Sequence, residues 1–198
     1  MTKKSARSVL VGSIVLASAI ALSGCTINLR AGNDDGMGMG MNHGGSAHNS
    51  GFSGSDIMFA QMMIPHHEQA VLMSTLAETR TTNPKVLALA MEIKNAQAPE
   101  ILQMKSWLKA AGATLEMNHS MGMGGMLTAA DIAALSTAKD ATFDKLYLIG
   151  MIGHHEGAVH MAQMVIDSAN PEARALGEAI ATSQTAQIAY MNTLLAAK

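Results

Sequence analysis

The sequence has little of what several common classes of protein depend on. Its 198 residues include a single cysteine, which excludes disulfide scaffolds and cysteine-based zinc sites. Aromatic residues make up 3% of the chain, whereas sheets usually draw on aromatic and β-branched side chains. Lysine and arginine number 13 against 15 acidic residues, so there is no basic surplus of the kind that binds nucleic acid. These absences favour an all-α protein without a nucleic-acid partner.

Two residue types are unusually frequent. The chain contains 18 methionines and 8 histidines. Thioether and imidazole groups both bind soft or borderline metal ions, so their excess is the first indication of a function.

The N-terminus has the pattern of a bacterial lipoprotein signal. Positive residues precede an apolar run at 9–22, which is shorter than the ~20 residues of a membrane-spanning helix. The run ends in Leu22-Ser23-Gly24-Cys25, which resembles the site where cleavage leaves an acylated cysteine. We therefore predict a signal peptide at 1–24 and lipidation of Cys25. An ordinary signal peptide or an anchor helix is the alternative.

This signal predicts where the protein resides. Acylation would tether the protein to a membrane outside the cytoplasm, in the periplasm or at the cell surface. Residues 25–54 are rich in glycine, methionine, histidine and small polar residues, and they are predicted to form a flexible tether.

From residue 55 onwards, the sequence repeats itself. The segment Met-Ile-Pro-His-His-Glu-Gln-Ala that begins at Met63 returns as Met-Ile-Gly-His-His-Glu-Gly-Ala at Met151. Asparagine-proline pairs at 83–84 and 170–171 suit the start of a helix, and Gly112 suits the end of one. The repeat therefore predicts two similar helix pairs.

These patterns predict an antiparallel four-helix bundle at 55–198. The first helix pair occupies 55–112, the second occupies 140–198, and a Met/His-rich loop at 113–127 lies between them. The predicted helices cover about 56–80, 84–111, about 140–169 and 171–197, with a short extra helix at 128–138.

Each repeat places a histidine on an apolar stripe of its first helix. His66 and His154 fall at heptad positions, and a second histidine, His67 or His155, follows directly. The methionines that share the two helices are Met63, Met73, Met151 and Met161.

Two interpretations of these histidines remain open. Gln97 and Gln184 occupy matched positions on the stripes of the second helices. The histidines could form hydrogen bonds with these glutamines across the core, or they could bind a metal ion while the glutamines orient them. Pro65 and Gly153 directly precede the histidine pairs and weaken both helices there, and a local kink in both copies indicates a functional site.

The loop offers a second set of soft donors. Core packing cannot explain methionine in so polar and glycine-rich a stretch. The loop candidates are Met117, His119, Met121, Met123 and Met126. His160, which stands next to Met161, is a further candidate ligand in the second repeat.

The donor set predicts copper, with Cu(I) favoured, because thioether is a soft ligand. Structural zinc would prefer cysteine, and magnesium or calcium would need a cage of oxygen ligands. A di-iron bundle would need Glu-x-x-His motifs on its helices, but the sequence has one such motif, at 116–119 in the loop. No organic cofactor is expected.

The paired His-His motifs, together with Trp107-Leu108 and Phe143-Asp144, resemble a bacterial family of unknown function, DUF305. The resemblance covers about residues 55–197. It implies a ferritin-like four-helix bundle and copper handling outside the cytoplasm by His66, His67, His154, His155 and the nearby methionines.

The leading hypothesis is a membrane-tethered copper protein that scavenges, buffers or chaperones the metal. It is not expected to be an enzyme, because no nucleophile or acid–base pair is recognisable. A metal-dependent oxidase and a tethered interaction module with structural histidines are the alternatives. The expected partners are a lipid membrane and copper ions, and self-association stays open.

Overall fold

In a computed structural model, the described residues are 51–116 and 124–197. They form five helices: α1 (Gly54–Arg80), α2 (Pro84–Ala111), α3 (Ala129–Thr137), α4 (Asp140–Ala162) and α5 (Pro171–Ala196). No strand occurs within these two ranges. The predicted all-α bundle is confirmed, and α3 is the short extra helix that the sequence predicts.

Local sequence signals define the helix ends. Ser53 and Asp56 form a capping box at the start of α1. Asn83 and Asn170 cap α2 and α5, each with a proline at the first helical position. Gly112 ends α2 in the left-handed conformation, with φ of 65°. All four long helices begin within two residues of the predicted positions, and these caps account for three of the four starts.

The end of α4 differs from the prediction. Regular helix stops at Ala162 rather than near residue 169, and hydrogen bonds between residues three apart continue the chain. This tighter stretch passes close to α5, because a Cβ atom on Gly177 would lie 2.7 Å from Val165 and 3.2 Å from the Ala162 carbonyl oxygen. α1 and α4 both remain helical through Pro65 and Gly153, so the weak points before the histidine pairs do not interrupt either helix.

The two halves are helix hairpins, α1 with α2 and α4 with α5, and they join mainly through α1 and α4. The core consists of two apolar clusters. One includes Phe59 and Met63 of α1 with Ala158 and Met161 of α4, and the other takes the opposite ends of the same helices.

A polar layer separates the two clusters. On each long helix, the change from one cluster to the other falls at a buried polar residue of the stripe. These four residues are His66, Gln97, His154 and Gln184. The repeat therefore places one polar cross-section between the two apolar clusters.

Residues 1–50 and 117–123 lie outside the described ranges. The predicted signal peptide, the lipidation of Cys25 and nearly all of the tether therefore remain predictions. Within 51–116 and 124–197, no helix combines the length and apolar character needed to cross a membrane.

Candidate metal site

The four repeat histidines occupy the polar layer and its edge. His66, His67, His154 and His155 are each 0% exposed. The rings of His66 and His154, one from each half, lie with their centroids 3.7 Å apart and their planes inclined by 36°. The repeat thus brings two imidazoles into contact across the α1–α4 interface.

Three of these rings have a hydrogen-bond partner at Nε2. His67 Nε2 lies 2.8 Å from Glu100 Oε2, and His155 Nε2 lies 2.7 Å from Gln187 Oε1. His66 Nε2 lies 3.2 Å from the backbone carbonyl oxygen of Gly124. Each partner comes from a different element: α2, α5 or the segment before α3.

The glutamines of the stripes have a different role from the one expected. The amide oxygens of Gln97 and Gln184 are buried, and neither has a hydrogen-bond partner among the described residues. The hypothesis that they bond His66 and His154 across the core is therefore wrong, and no hydrogen bond among the described residues supports the alternative in which the glutamines orient these rings. Both amides instead add unused oxygen atoms to the polar layer.

Several ring nitrogens are also buried without partners. In the described part of the chain, the Nδ1 atoms of all four histidines lack a hydrogen-bond partner, and so does Nε2 of His154. Leaving a buried polar group unpaired costs about 1–3 kcal/mol, so native proteins rarely leave several in one place. A cluster of imidazole nitrogens without hydrogen-bond partners is the arrangement expected of a site that binds a ligand.

Burial keeps the imidazoles of His66, His154 and His155 neutral. It lowers the pKa of His154 to about 2 and that of His66 to about 3, with nearby histidines adding a repulsive contribution. The pKa of His155 falls to about 4, again mainly through burial, although its bond with Gln187 partly opposes the shift. At neutral pH these rings therefore hold lone pairs rather than an extra proton.

Methionines occupy both sides of the histidine layer. Met63, Met73 and Met151 are 0% exposed, and Met161 is 4% exposed. Met63 and Met161 belong to one apolar cluster, whereas Met73 and Met151 belong to the other. Each side of the layer therefore carries one methionine from α1 and one from α4.

The segment before α3 is fixed against the bundle beside the site. Gln69 of α1 accepts a hydrogen bond from the Leu127 N–H at 2.8 Å and donates one to the Leu127 carbonyl at 3.0 Å. Gly125, with φ of 82°, leaves room for a close approach to α4, since a Cβ there would lie 2.2 Å from the Gly153 carbonyl oxygen. A Cβ on Gly157 would lie 1.9 Å from the Gly124 carbonyl oxygen. Gly125 of the segment and Gly157 of α4 thus allow the two backbones to approach closely.

The other predicted ligands are more scattered. His160 is exposed on α4, and Met126 is half-buried at the edge of a cavity of about 330 Å³ between α3 and α4. Met117, His119, Met121 and Met123 lie outside the described residues. Among residues 51–116 and 124–197, no group of three or more His, Cys, Asp or Glu side chains is arranged to hold a metal ion. A metal in the bundle would therefore depend on methionine sulfur as well as imidazole.

Sequence reasoning missed three polar residues near the site. Glu100 and Gln187 hold the second histidine of each repeat, and Glu92 accepts a hydrogen bond from Gln187 at 2.9 Å. The 87-residue offset that relates Gln97 to Gln184 also relates Glu100 to Gln187. This matched polar pair was a signal that could have identified both residues.

Comparison with known proteins assigns the chain to a family. The family profile described as "Domain of unknown function (DUF305)" matches residues 56–195. The chain belongs to the DUF305 family. This confirms the resemblance carried by the two His-His motifs. No curated protein matches the chain.

Solved structures of DUF305 proteins have the same fold. A candidate secreted DUF305 protein from Streptomyces coelicolor is 33% identical, covering 72% of this chain and 92% of that one, with a TM-score of 0.69. A DUF305 fragment from Deinococcus radiodurans is 30% identical, covering 74% and 98%, with a TM-score of 0.68.

A third similar structure contains copper. CopM in its Cu(I)-bound form is 31% identical, covering 70% of this chain and 94% of that one, with a TM-score of 0.59. CopM has also been solved in Cu(II)-bound and silver-bound forms. The proteins similar to this chain therefore include one that binds copper and one that is a candidate for secretion.

Proposed function

We propose that this protein binds copper outside the cytoplasm, with Cu(I) preferred, and that it scavenges, buffers or chaperones the ion without catalysing a reaction. The observation that carries the proposal is the layer of four buried histidines whose Nδ1 atoms lack partners in the described part of the chain. The copper-bound forms of CopM, at about 30% identity, support the choice of metal.

The chemistry of the donors fits this cargo. Neutral imidazole and thioether both bind without losing a proton, so protons do not compete strongly with copper at neutral pH. Soft sulfur ligands favour Cu(I) over zinc or magnesium. His66, His67, His154 and His155 would supply nitrogen, and Met63, Met73, Met151 and Met161 would supply sulfur. Purely structural histidines would be expected to have their ring nitrogens paired.

Copper-induced stabilisation tests the proposal. A ligand that binds only the folded state stabilises it, by about 2.7 kcal/mol at a concentration 100 times its Kd. Cu(I) should therefore raise the melting temperature of the wild type. The increment should shrink in His66→Ala/His67→Ala and in His154→Ala/His155→Ala, each compared with its own apo form. His160→Ala, at an exposed position, is the control. An undiminished increment in a variant lacking all four buried histidines would contradict a site in the bundle.

The loop is tested separately. Replacing Met117, Met121, Met123 and Met126 with leucine keeps the apolar bulk and removes the sulfur. If the loop also binds copper, the number of Cu(I) ions bound should fall while the melting temperature of the apo protein stays nearly constant. Unchanged capacity would mean that the loop methionines are not ligands.

The membrane tether is part of the same proposal. Cys25→Ser should remove the acylation site and either release the protein from the membrane fraction or leave its signal peptide uncleaved. A variant that is cleaved normally and stays in the membrane fraction would contradict lipidation at this residue.

Catalysis is tested on the copper-loaded protein. Under the proposal, oxygen uptake in the presence of reduced organic substrates should not exceed that of free copper at the same concentration. Repeated turnover that depends on the four histidines would instead support an oxidase.

A further inference from the structure

The second histidine of each repeat points its Nε2 atom at a matched residue of the neighbouring helix. His67 meets Glu100 of α2, and His155 meets Gln187 of α5, with Nε2–oxygen distances of 2.8 and 2.7 Å. The two partners differ in charge, because one is a carboxylate and the other an amide. What each partner can accept or donate determines which ring nitrogen carries the proton.

Glu100 leaves one arrangement for His67. An ionised carboxylate accepts hydrogen bonds and donates none, so the hydrogen must reside on His67 Nε2. In the neutral ring, Nδ1 then holds the lone pair. This atom is buried and has no hydrogen-bond partner among the described residues.

The amide of Gln187 could in principle present either its oxygen or its nitrogen to His155. Glu92 removes this ambiguity, because its carboxylate can only accept, and Gln187 Nε2 lies 2.9 Å from Glu92 Oε1. The amide oxygen of Gln187 therefore faces His155 and accepts the Nε2 hydrogen. A carboxylate thus determines the tautomer in both halves, directly in the first and through one amide in the second.

We propose that Glu100 and the Gln187–Glu92 pair are positioning residues that hold His67 and His155 in the Nε2–H tautomer and make Nδ1 the nitrogen that binds copper. The assignment of Nδ1 as the copper-binding nitrogen rests on the proposed function, whereas the assignment of the tautomer does not. A carboxylate that accepts a hydrogen bond from a ligating imidazole also raises its basicity. Glu100, which contacts His67 directly, should therefore raise the basicity of His67 more than the Gln187 amide raises that of His155.

The test uses the full-length chain, with 15N NMR of the histidine rings and Cu(I) competition against a chromophoric chelator. Glu100→Gln replaces an obligate acceptor with an amide that can face either way. It should leave His67 as a mixture of tautomers and His155 unchanged. Glu92→Gln should leave His155 as a mixture of tautomers and His67 unchanged. Each variant should weaken Cu(I) binding at its own histidine by about 10-fold or more, with the larger loss in Glu100→Gln. Glu78→Gln makes the same charge change at the exposed ion pair with Lys94 and should change neither readout.

Two results would overturn the inference. One is an Nδ1–H ring at His67 or His155 in the apo wild type, and the other is a pair of variants whose tautomers and Cu(I) affinities match the wild type. If the wild type binds no copper, the proposed function fails, and with it the assignment of Nδ1 as a ligand. The ring spectra of the apo protein still confirm or contradict the positioning roles of Glu100 and Gln187.

Discussion

The two halves of the bundle are built alike but differ where they contact the segment before α3, the connecting segment that includes Gly124, Gly125 and Leu127. Both have an asparagine cap on the second helix, a His-His motif and a glutamine in the polar layer. The first half holds the connecting segment through Gln69, whereas the second half has Gly157 at the matched position. The repeat therefore specifies the core, and departures from it accommodate a connection that the bundle contains once.

The two halves also differ in the residue that directly precedes the histidine pair. Pro65 of α1 corresponds to Gly153 of α4, and both lie within unbroken helix. The carbonyl of Gly153 lies close to Gly125, so the connecting segment packs against this face of α4. As a result, the Gly124 carbonyl reaches His66 of the first half, whereas neither ring nitrogen of His154 has a partner in the described ranges.

The largest expected effect is acid destabilisation of the apo protein. The folded-state pKa values of His66, His154 and His155 lie below the usual 6.5, so the unfolded chain binds protons first as the pH falls. Stability should be complete above about pH 6.5 and decline towards pH 4. At pH 5 one such group accounts for about 2 kcal/mol. The contributions of the three rings are not additive, because nearby histidines themselves help to lower each pKa.

Urea unfolding between pH 7 and pH 5 measures this loss and compares the halves. The second half contributes two of the three lowered pKa values, so His155→Gln should remove about 2 kcal/mol of the pH-dependent loss. His160→Gln, at an exposed site, is the control. Equal free energies of unfolding at the two pH values would show that the buried rings do not resist protonation.

The next largest effect is expected from alanine substitutions at two glycines of α4, Gly157 and Gly153. A Cβ on Gly157 would lie 1.9 Å from the Gly124 carbonyl oxygen, whereas a Cβ on Gly153 would have no described atom within 4 Å beyond its own helix and chain neighbours. Gly157→Ala should therefore destabilise the protein by about 1–3 kcal/mol through overpacking. Gly153→Ala should stabilise it by about 0.5–1 kcal/mol, the usual gain within a helix. Similar unfolding free energies for the two variants would mean that the connecting segment does not press on α4.

The sequence allowed prediction of the features that follow from periodicity and caps. Heptad spacing placed His66 and Gln97 in the core, and the Asn-Pro pairs marked the starts of α2 and α5. The partners of the histidines were harder to predict. Glu100 lies three residues beyond Gln97, off the stripe, and the Gly124 partner is a backbone carbonyl, which leaves no side-chain signal. The early end of α4 coincides with its close approach to Gly177 of α5, and local sequence does not encode that contact.

The smallest effect compares the two asparagine caps. Asn83 accepts a hydrogen bond from the Lys85 N–H, and its amide also donates to the buried Asp144 of the other half at 2.8 Å. Asn170 caps α5 by accepting from two N–H groups, those of Glu172 and Ala173, and its amide donates to the exposed backbone carbonyl of Gly51 at 3.1 Å. Loss of either cap costs about 1 kcal/mol, and loss of a bond to a buried charge adds about 1.5 kcal/mol or more. Asn83→Ala should therefore lower the urea unfolding free energy by about 1 kcal/mol more than Asn170→Ala. Equal losses would mean that the link between Asn83 and Asp144 adds nothing to the junction of the halves.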